Sequence, residues 1–122
     1  MRYRIDFSYD GTNFNGYQLQ PNLRTIQNEL EKAVSYLNRQ TYTTVQSSGR
    51  TDKGVHAINQ VAHFDLGVSI PTYKIKRGLN SNLPADIHII NVKLVSEHFH
   101  ARFSAKKKEY VYKINIKEYN PM

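Results

Sequence analysis

Residues 2 to 9 alternate without a break: Tyr3, Ile5, Phe7 and Tyr9 are apolar or aromatic, and Arg2, Arg4, Asp6 and Ser8 between them are polar. A period of two puts the first set on one face of an extended strand and the second on the other, so this chain has to build a sheet with one covered face. Asp10-Gly11 follows as a turn. From Thr25, which is placed to cap a helix, Ile26, Leu30, Ala33, Val34 and Leu37 recur at spacings of 4, 3, 1 and 3 and form one helical stripe. That helix is expected to end between Asn38 and Gln40, where the β-favouring run Thr41 to Val45 is expected to begin a second strand.

Ala62, Phe64 and Leu66 alternate with Val61, His63 and Asp65, which predicts a third strand after a glycine-bearing loop running from Ser47 to His56. Pro71 and Thr72 can open a second helix with Ile75 and Leu79 inward; Gly78 weakens it and Pro84 stops it. Residues 87–95 and 108–116 are rich in Ile, Val and Tyr and read as further strands. The order is β-α-β-β-α-β with one more strand. The expected fold class is therefore α+β, a ferredoxin-like split βαβ domain with an antiparallel sheet, helices on one face, an extra C-terminal strand and an open face free for a ligand. Nothing in the 122 residues reads as a repeat, a low-complexity tract or a linker, so a single domain over 1–122 is expected.

Charge and cysteine count narrow the chemistry. Lys and Arg number 17 against 10 Asp and Glu, a formal charge of +7, which favours a polyanionic partner because each neutralised phosphate releases counterions. With no cysteine, thiolate zinc sites, Fe–S clusters, disulfides and cysteine nucleophiles are excluded, and a reducing cytoplasm is the expected compartment. No stretch approaches the roughly 20 apolar residues that cross a bilayer, so no membrane partner is expected.

The segment Ser48-Gly49-Arg50-Thr51-Asp52-Lys53-Gly54-Val55-His56 sets one carboxylate between two cations, bracketed by glycines. Arg50 can pair with Asp52 and keep it ionised, which suits a nucleophile or base better than an acid; the same residues also describe an Asx-turn with an exposed ion pair. The phosphate-loop, dinucleotide, zinc-protease and nucleophile-elbow patterns are all missing. His98-x-His100 alone makes a poor metal site, and His56 and His63 read as hydrogen-bonding or partly buried structural residues. Residues 98–118 hold six cations and two anions, +4 of the +7, interleaved with Phe99, Phe103, Tyr110 and Tyr112. That combines phosphate-seeking groups with rings on which a base can stack, or simply a basic outer and aromatic inner strand face.

Three ordered motifs carry a resemblance. Gly49-Arg50-Thr51-Asp52-Lys53-Gly54-Val55-His56-Ala57 resembles the Asp loop of the tRNA pseudouridine synthase A (TruA) family. Tyr9-Asp10-Gly11-Thr12-x-Phe14-x-Gly16 with Gln18-x-Gln20-Pro21 and Thr25-Ile26-Gln27 resembles that family's N-terminal signature. His100-Ala101-Arg102-Phe103-Ser104-Ala105 leading to Lys108-Glu109-Tyr110-Val111-Tyr112 resembles its third. One departure is Tyr17, where the family usually carries Trp; a change of packing that spares the chemistry is expected there.

The resemblance implies isomerisation of uridine to pseudouridine at tRNA positions 38, 39 and/or 40 of the anticodon stem-loop, with no cofactor and no metal. Asp52 matches the catalytic aspartate, attacking C1′ or removing a proton from C2′. Arg50 matches the arginine that pairs with it and fills the space of the flipped uridine. Tyr110 matches the tyrosine that stacks on the uracil and assists proton removal at C5. Lys53, Arg102, Lys106, Lys107 and Lys108 are the candidate RNA contacts. The resemblance also implies a second domain absent from this chain, a homodimer holding tRNA across both subunits, and weak binding and catalysis by these 122 residues alone. The competing reading is a non-catalytic RNA-binding module of ferredoxin-like fold, against which stand the missing K/R-G-F/Y-G/A-F-V-x-F/Y pattern and an Arg-braced Asp that such a module has no need of.

Overall fold

The computed structural model describes residues 1–20, 23–49 and 56–101. Along them run β1 (Arg2–Tyr9), a 3-10 turn (Gly11–Asn13), α1 (Ile26–Leu37), β2 (Gln46–Ser47), β3 (Ala57–Asp65), α2 (Thr72–Asn82) and β4 (Ile87–Val95). The described strands form one sheet in the order β2-β3-β1-β4, each neighbouring pair antiparallel. This is the split βαβ arrangement: β3 lies between β1 and β2, and β1 between β3 and β4.

The alternation of β1 explains the layering. Tyr3, Ile5, Phe7 and Tyr9 are buried, and they share one core with Ile26, Leu30 and Val34 of α1 and Ile75 and Leu79 of α2. Both helices therefore cover the same face. Register places Ile5 opposite Ala62 and Val92, so the centre of the core is a row of aliphatic side chains across three strands.

α1 begins where the sequence places it. The Thr25 hydroxyl accepts from the Asn28 N–H at 3.2 Å. Gly16 O and Tyr17 O accept the next two orphan donors, the N–H groups of Ile26 (3.2 Å) and Gln27 (2.9 Å). Gly16 has φ 85°, a left-handed conformation in which a side chain is strained. The turn at Gly16 thereby sets Tyr17 against the start of α1.

The second strand is shorter than expected. Thr41 to Val45 do not join the sheet, and only Gln46 and Ser47 pair with β3. After α1 the left-handed residues Arg39 (φ 55°) and Gln40 (φ 61°) reverse the chain, which then runs alongside the helix it has just left. The Thr43 N–H donates to Ser35 Oγ at 2.8 Å and the Val45 N–H to Glu31 Oε2 at 3.0 Å. Side chains of α1 thus take donors that a sheet ladder would otherwise use.

The face opposite the helices is not wholly free either. At its Arg2–Arg4 end the chain returns across it. The Ala101 N–H donates to His63 Nδ1 at 3.1 Å, Arg2 Nη1 donates to the carbonyls of Glu97 (2.9 Å) and Phe99 (2.6 Å), and the Arg4 guanidinium lies 5.7 Å from the Phe99 ring centroid. The strand expected at 108–116 lies outside the described residues.

Candidate active site at the turn between β2 and β3

Asp52, Arg50 and Lys53, with Arg102, Lys106, Lys107, Lys108 and Tyr110, lie outside the described residues. What the structure describes is the frame into which these segments run. On the outgoing side, the Ser48 N–H donates to Val61 O at 2.8 Å and the Ser48 hydroxyl to Gln60 Oε1 at 3.0 Å. The Ser47 hydroxyl donates to Gly49 O at 2.9 Å. Three bonds within three residues fix the chain as it reaches the Asp loop.

The returning side is held by the N-terminal motif. His56 Nδ1 lies 2.9 Å from the Gly11 N–H and 3.0 Å from Asp10 Oδ1. A neutral imidazole accepts from Gly11 there, whereas a protonated one donates to the carboxylate, so either state finds a partner. The same oxygen of Asp10 accepts from the Thr12 hydroxyl (2.6 Å) and the Thr12 N–H (3.0 Å). These bonds hold its carboxyl below the usual carboxylate range, with the neighbouring His56 a smaller contribution in the same direction. The sequence marks this histidine as a hydrogen-bonding structural residue, and in the structure it ties the first motif to the second.

A second junction of these two motifs is a cleft of about 330 Å³ lined by Tyr17, Gln27, Val45 and the segment Gln46–Gly49. Ser47 pairs with Ala62, whose side chain belongs to the core, so Ser47 faces the helix side of the sheet and looks toward Tyr17. The Tyr17 ring is packed against Phe7 and Tyr9, with centroids 6.4 and 6.2 Å away. Its hydroxyl is buried beside that of Ser47. Burial pushes this phenol well above its ordinary range, with the Ser47 hydroxyl opposing and Tyr9 and Glu31 adding to the rise. The ring of Tyr17 is packed in the core, and the burial of its hydroxyl had no signal in the sequence.

Behind the cleft, Glu31 is buried at 2% exposure and fully engaged. It accepts from the Val45 N–H, from Gln27 Nε2 at 3.1 Å and from the Tyr42 hydroxyl. A polar residue on the inner side of α1 is thereby satisfied, and the approach to β2 is fastened to the helix.

The third motif begins on the other face of the sheet. His63 is 3% exposed and accepts from the Ala101 N–H through Nδ1. Burial first, then the Arg2 guanidinium and His100, push its pKa down to about 4; it is a neutral acceptor at pH 7. His100 packs against it at 4.7 Å between centroids and Phe99 at 6.0 Å, edge-on. Among the described residues no group of three His, Cys, Asp or Glu is gathered to hold a metal, and no helix is long and apolar enough to cross a membrane.

All three motifs therefore meet β3 or its turn: the first at His56 and at the cleft, the second as the turn itself, the third at His63. A family model described as tRNA pseudouridine synthase matches residues 7–104, which include the described parts of all three. The chain is similar to the tRNA pseudouridine synthase A of Bacillus licheniformis, at 53% identity over 115 residues, covering 93% of this chain and 47% of that protein. It is also similar to those of Streptococcus thermophilus (48% over 123 residues; 100% and 50%) and Latilactobacillus sakei (46% over 121 residues; 98% and 49%). The chain spans about half the length of the curated relatives it matches.

Proposed function

The chain belongs to the tRNA pseudouridine synthase family, and from that premise we propose that it carries the catalytic aspartate of an enzyme that isomerises uridine to pseudouridine in tRNA, at positions 38 to 40 of the anticodon stem-loop. The observation that supports this best is the double attachment of the N-terminal motif to the stem of the Asp loop, at His56 and at the Tyr17 cleft. Asp52 is three residues from Gly49 and four from His56, so covalent connectivity alone tethers it within about 11 Å of Gly49.

The reaction breaks the C1′–N1 bond, turns the uracil and forms C1′–C5; the proton lost from C5 is balanced by one gained at N1. Every atom of the substrate is retained, so the step needs no oxidant, reductant or energy source. Asp52 acts at the sugar, as nucleophile at C1′ or base at C2′. Arg50 keeps it ionised and occupies the gap left by the extruded nucleoside. Tyr110 stacks on the base and assists proton removal at C5. Lys53, Arg102, Lys106, Lys107 and Lys108 contact phosphates. The relatives being about twice as long, the proposal extends to a second domain and a homodimer in the full-length protein.

In the full-length protein, Asp52→Asn should lower pseudouridine formation in a transcribed tRNA at least about 100-fold, the scale of a lost acid–base or nucleophilic group, while tRNA binding stays within a few-fold. Product formation unchanged by that substitution would leave an RNA-binding module as the better reading.

A further inference from the structure

The outer surface of α1 carries two aromatic rings that the core does not use. Tyr36 is 59% exposed and Tyr42 66% exposed, yet both line one groove of about 480 Å³ along the helix. Asn28, Lys32 and Tyr36 follow one another at intervals of four residues, so they share an outward strip of α1. Tyr42 reaches the groove from the chain that follows the helix. The left-handed pair Arg39 and Gln40 turns that chain back, and the Thr43 N–H, donating to Ser35 Oγ at 2.8 Å, keeps it alongside.

The Tyr42 ring is held where it stands. Its hydroxyl donates to Glu31, whose buried carboxylate is itself fixed by the Val45 N–H (3.0 Å) and Gln27 Nε2 (3.1 Å). A buried acid thus steadies a ring that stays in water, and a preset flat surface takes up a stacking partner at little cost in side-chain entropy. Lys32 stands beside the rings with its ammonium 3.8 Å from Glu29, a loose exposed pair that an incoming phosphate can replace. Arg39, also exposed, adjoins Gln40 at the far end of the groove. Flat rings with cations beside them match a nucleic-acid strand, whose bases stack while its phosphates pair with the cations. An apolar protein segment would use the rings and leave the cations without a counter-charge.

We propose that this groove stacks an unpaired base of the tRNA, other than the reacting uridine, on Tyr36 and Tyr42, with Lys32 on the adjoining phosphate. The inference rests on the pseudouridine synthase reading, which makes RNA the polyanion that the +7 charge of the chain attends. Position assigns the base. Gln27, which donates to Glu31, also lines the cleft with Gly49, so the groove begins next to the root of the Asp loop. From Asn28 to Tyr36 it follows α1 for about 12 Å, at a helical rise of about 1.5 Å per residue. A base held there is displaced along the strand from the reacting one. It fixes the RNA without entering the chemistry, and because every base has a flat face it does so without reading the sequence.

The test uses the full-length protein and a transcribed tRNA. Tyr36→Ala removes an exposed ring from a helix that alanine suits. It should weaken tRNA binding about 5- to 100-fold, the range of one base–aromatic stack, with kcat within about twofold of wild type at saturating tRNA. The slope of log Kd against log salt should stay as in wild type, because a stack releases no counterion. Tyr36→Phe keeps the ring and should restore wild-type affinity. Lys32→Ala should lower the salt slope by about 1, as for one lost phosphate contact. Wild-type affinity in Tyr36→Ala would overturn the proposal, and so would a loss that Tyr36→Phe shares or a salt slope that Lys32→Ala leaves unchanged. A changed oligomeric state with tRNA affinity intact would assign the groove to a second copy of the chain and overturn it as well. Asp52→Asn run in parallel separates these outcomes from failure of the underlying reading, since it addresses product formation and leaves the groove intact.

Discussion

The two faces of β1 are buried by different physics. Toward the helices, Tyr3, Ile5, Phe7 and Tyr9 lie in the apolar core, where area removed from water and close packing dominate, with the Tyr3 hydroxyl donating to Ile70 O at 3.0 Å at its edge. Toward the other side, Arg2, Arg4 and Asp6 are half-buried by pairing: Arg2 with Asp65 at 2.8 Å, Arg4 with Asp6 at 3.0 Å, and His63 with the backbone of Ala101. The first kind of burial is non-directional and indifferent to pH. The second depends on which groups carry a proton, and it anchors the chain on its way to the third motif. The core face secures the domain, and the polar face secures the chain that leads to the third motif.

The largest effect should come from the core face. Ile5, fully buried between Ala62 and Val92, when replaced by alanine should cost about 3 kcal/mol from lost transfer energy and the cavity left behind. Urea midpoints should fall by the same amount at pH 5 and pH 7.5. A cost that changes with pH would mean the two faces are not energetically separate.

Next is His63. Its folded-state pKa of about 4 lies below the ordinary 6.5, so between those values the unfolded chain binds a proton that the folded one refuses. Stability is therefore full above about pH 6.5 and falls as the pH is lowered through that window. Asp10 and Asp65 have lowered pKa values and contribute stability that is lost only at more acid pH, below 3.8. His63→Asn keeps an acceptor for Ala101 but cannot titrate; urea unfolding at pH 7 and pH 4.5 should show its pH dependence flattened across the window. An equally steep loss in the variant would assign the acid sensitivity elsewhere.

The same contrast explains what could be read from the sequence. Period two in residues 2 to 9 and the stripe from Ile26 to Leu37 belong to the core face, where burial follows chemical type, and the strand and helix expected there are the ones found. Ile75 and Leu79 are inward in α2 for the same reason. Thr41 to Val45 mislead because their β propensity is real, yet Ser35 and Glu31 compete for the same backbone donors, and that competition exists only after α1 has folded. The covering of the open face by Phe99–Ala101 is likewise hidden, since it hangs on contacts with Arg2 and His63, residues 97 and 38 positions away from their partners. At the site, the motifs point to the segment between β2 and β3, but neither the His56 tie to Asp10-Gly11 nor the burial of the Tyr17 hydroxyl leaves a periodic trace. The tie joins residues 45 positions apart, the burial of the hydroxyl depends on one atom's surroundings, and no local pattern encodes either.

The smallest effect sharpens the comparison within the polar face itself. Arg2 makes two kinds of bond: to the Asp65 carboxylate, whose side chain is 58% exposed, and to the carbonyls of Glu97 and Phe99. An ion pair with one partner so open to water is screened, so Asp65→Asn should cost no more than about 0.5 kcal/mol, and less still in about 0.5 M salt. Arg2→Ala removes the carbonyl contacts as well and should cost more, with a remainder that salt does not erase. If the two substitutions cost the same and both effects vanish in salt, the chain over the open face is held by surface charge alone. If a salt-resistant difference persists, the guanidinium acts as a clamp on the backbone leading to His100 and Ala101. Loosening that clamp should then speed amide exchange at Ala101 before it lowers the global stability, because the strap opens at less cost than the sheet beneath it.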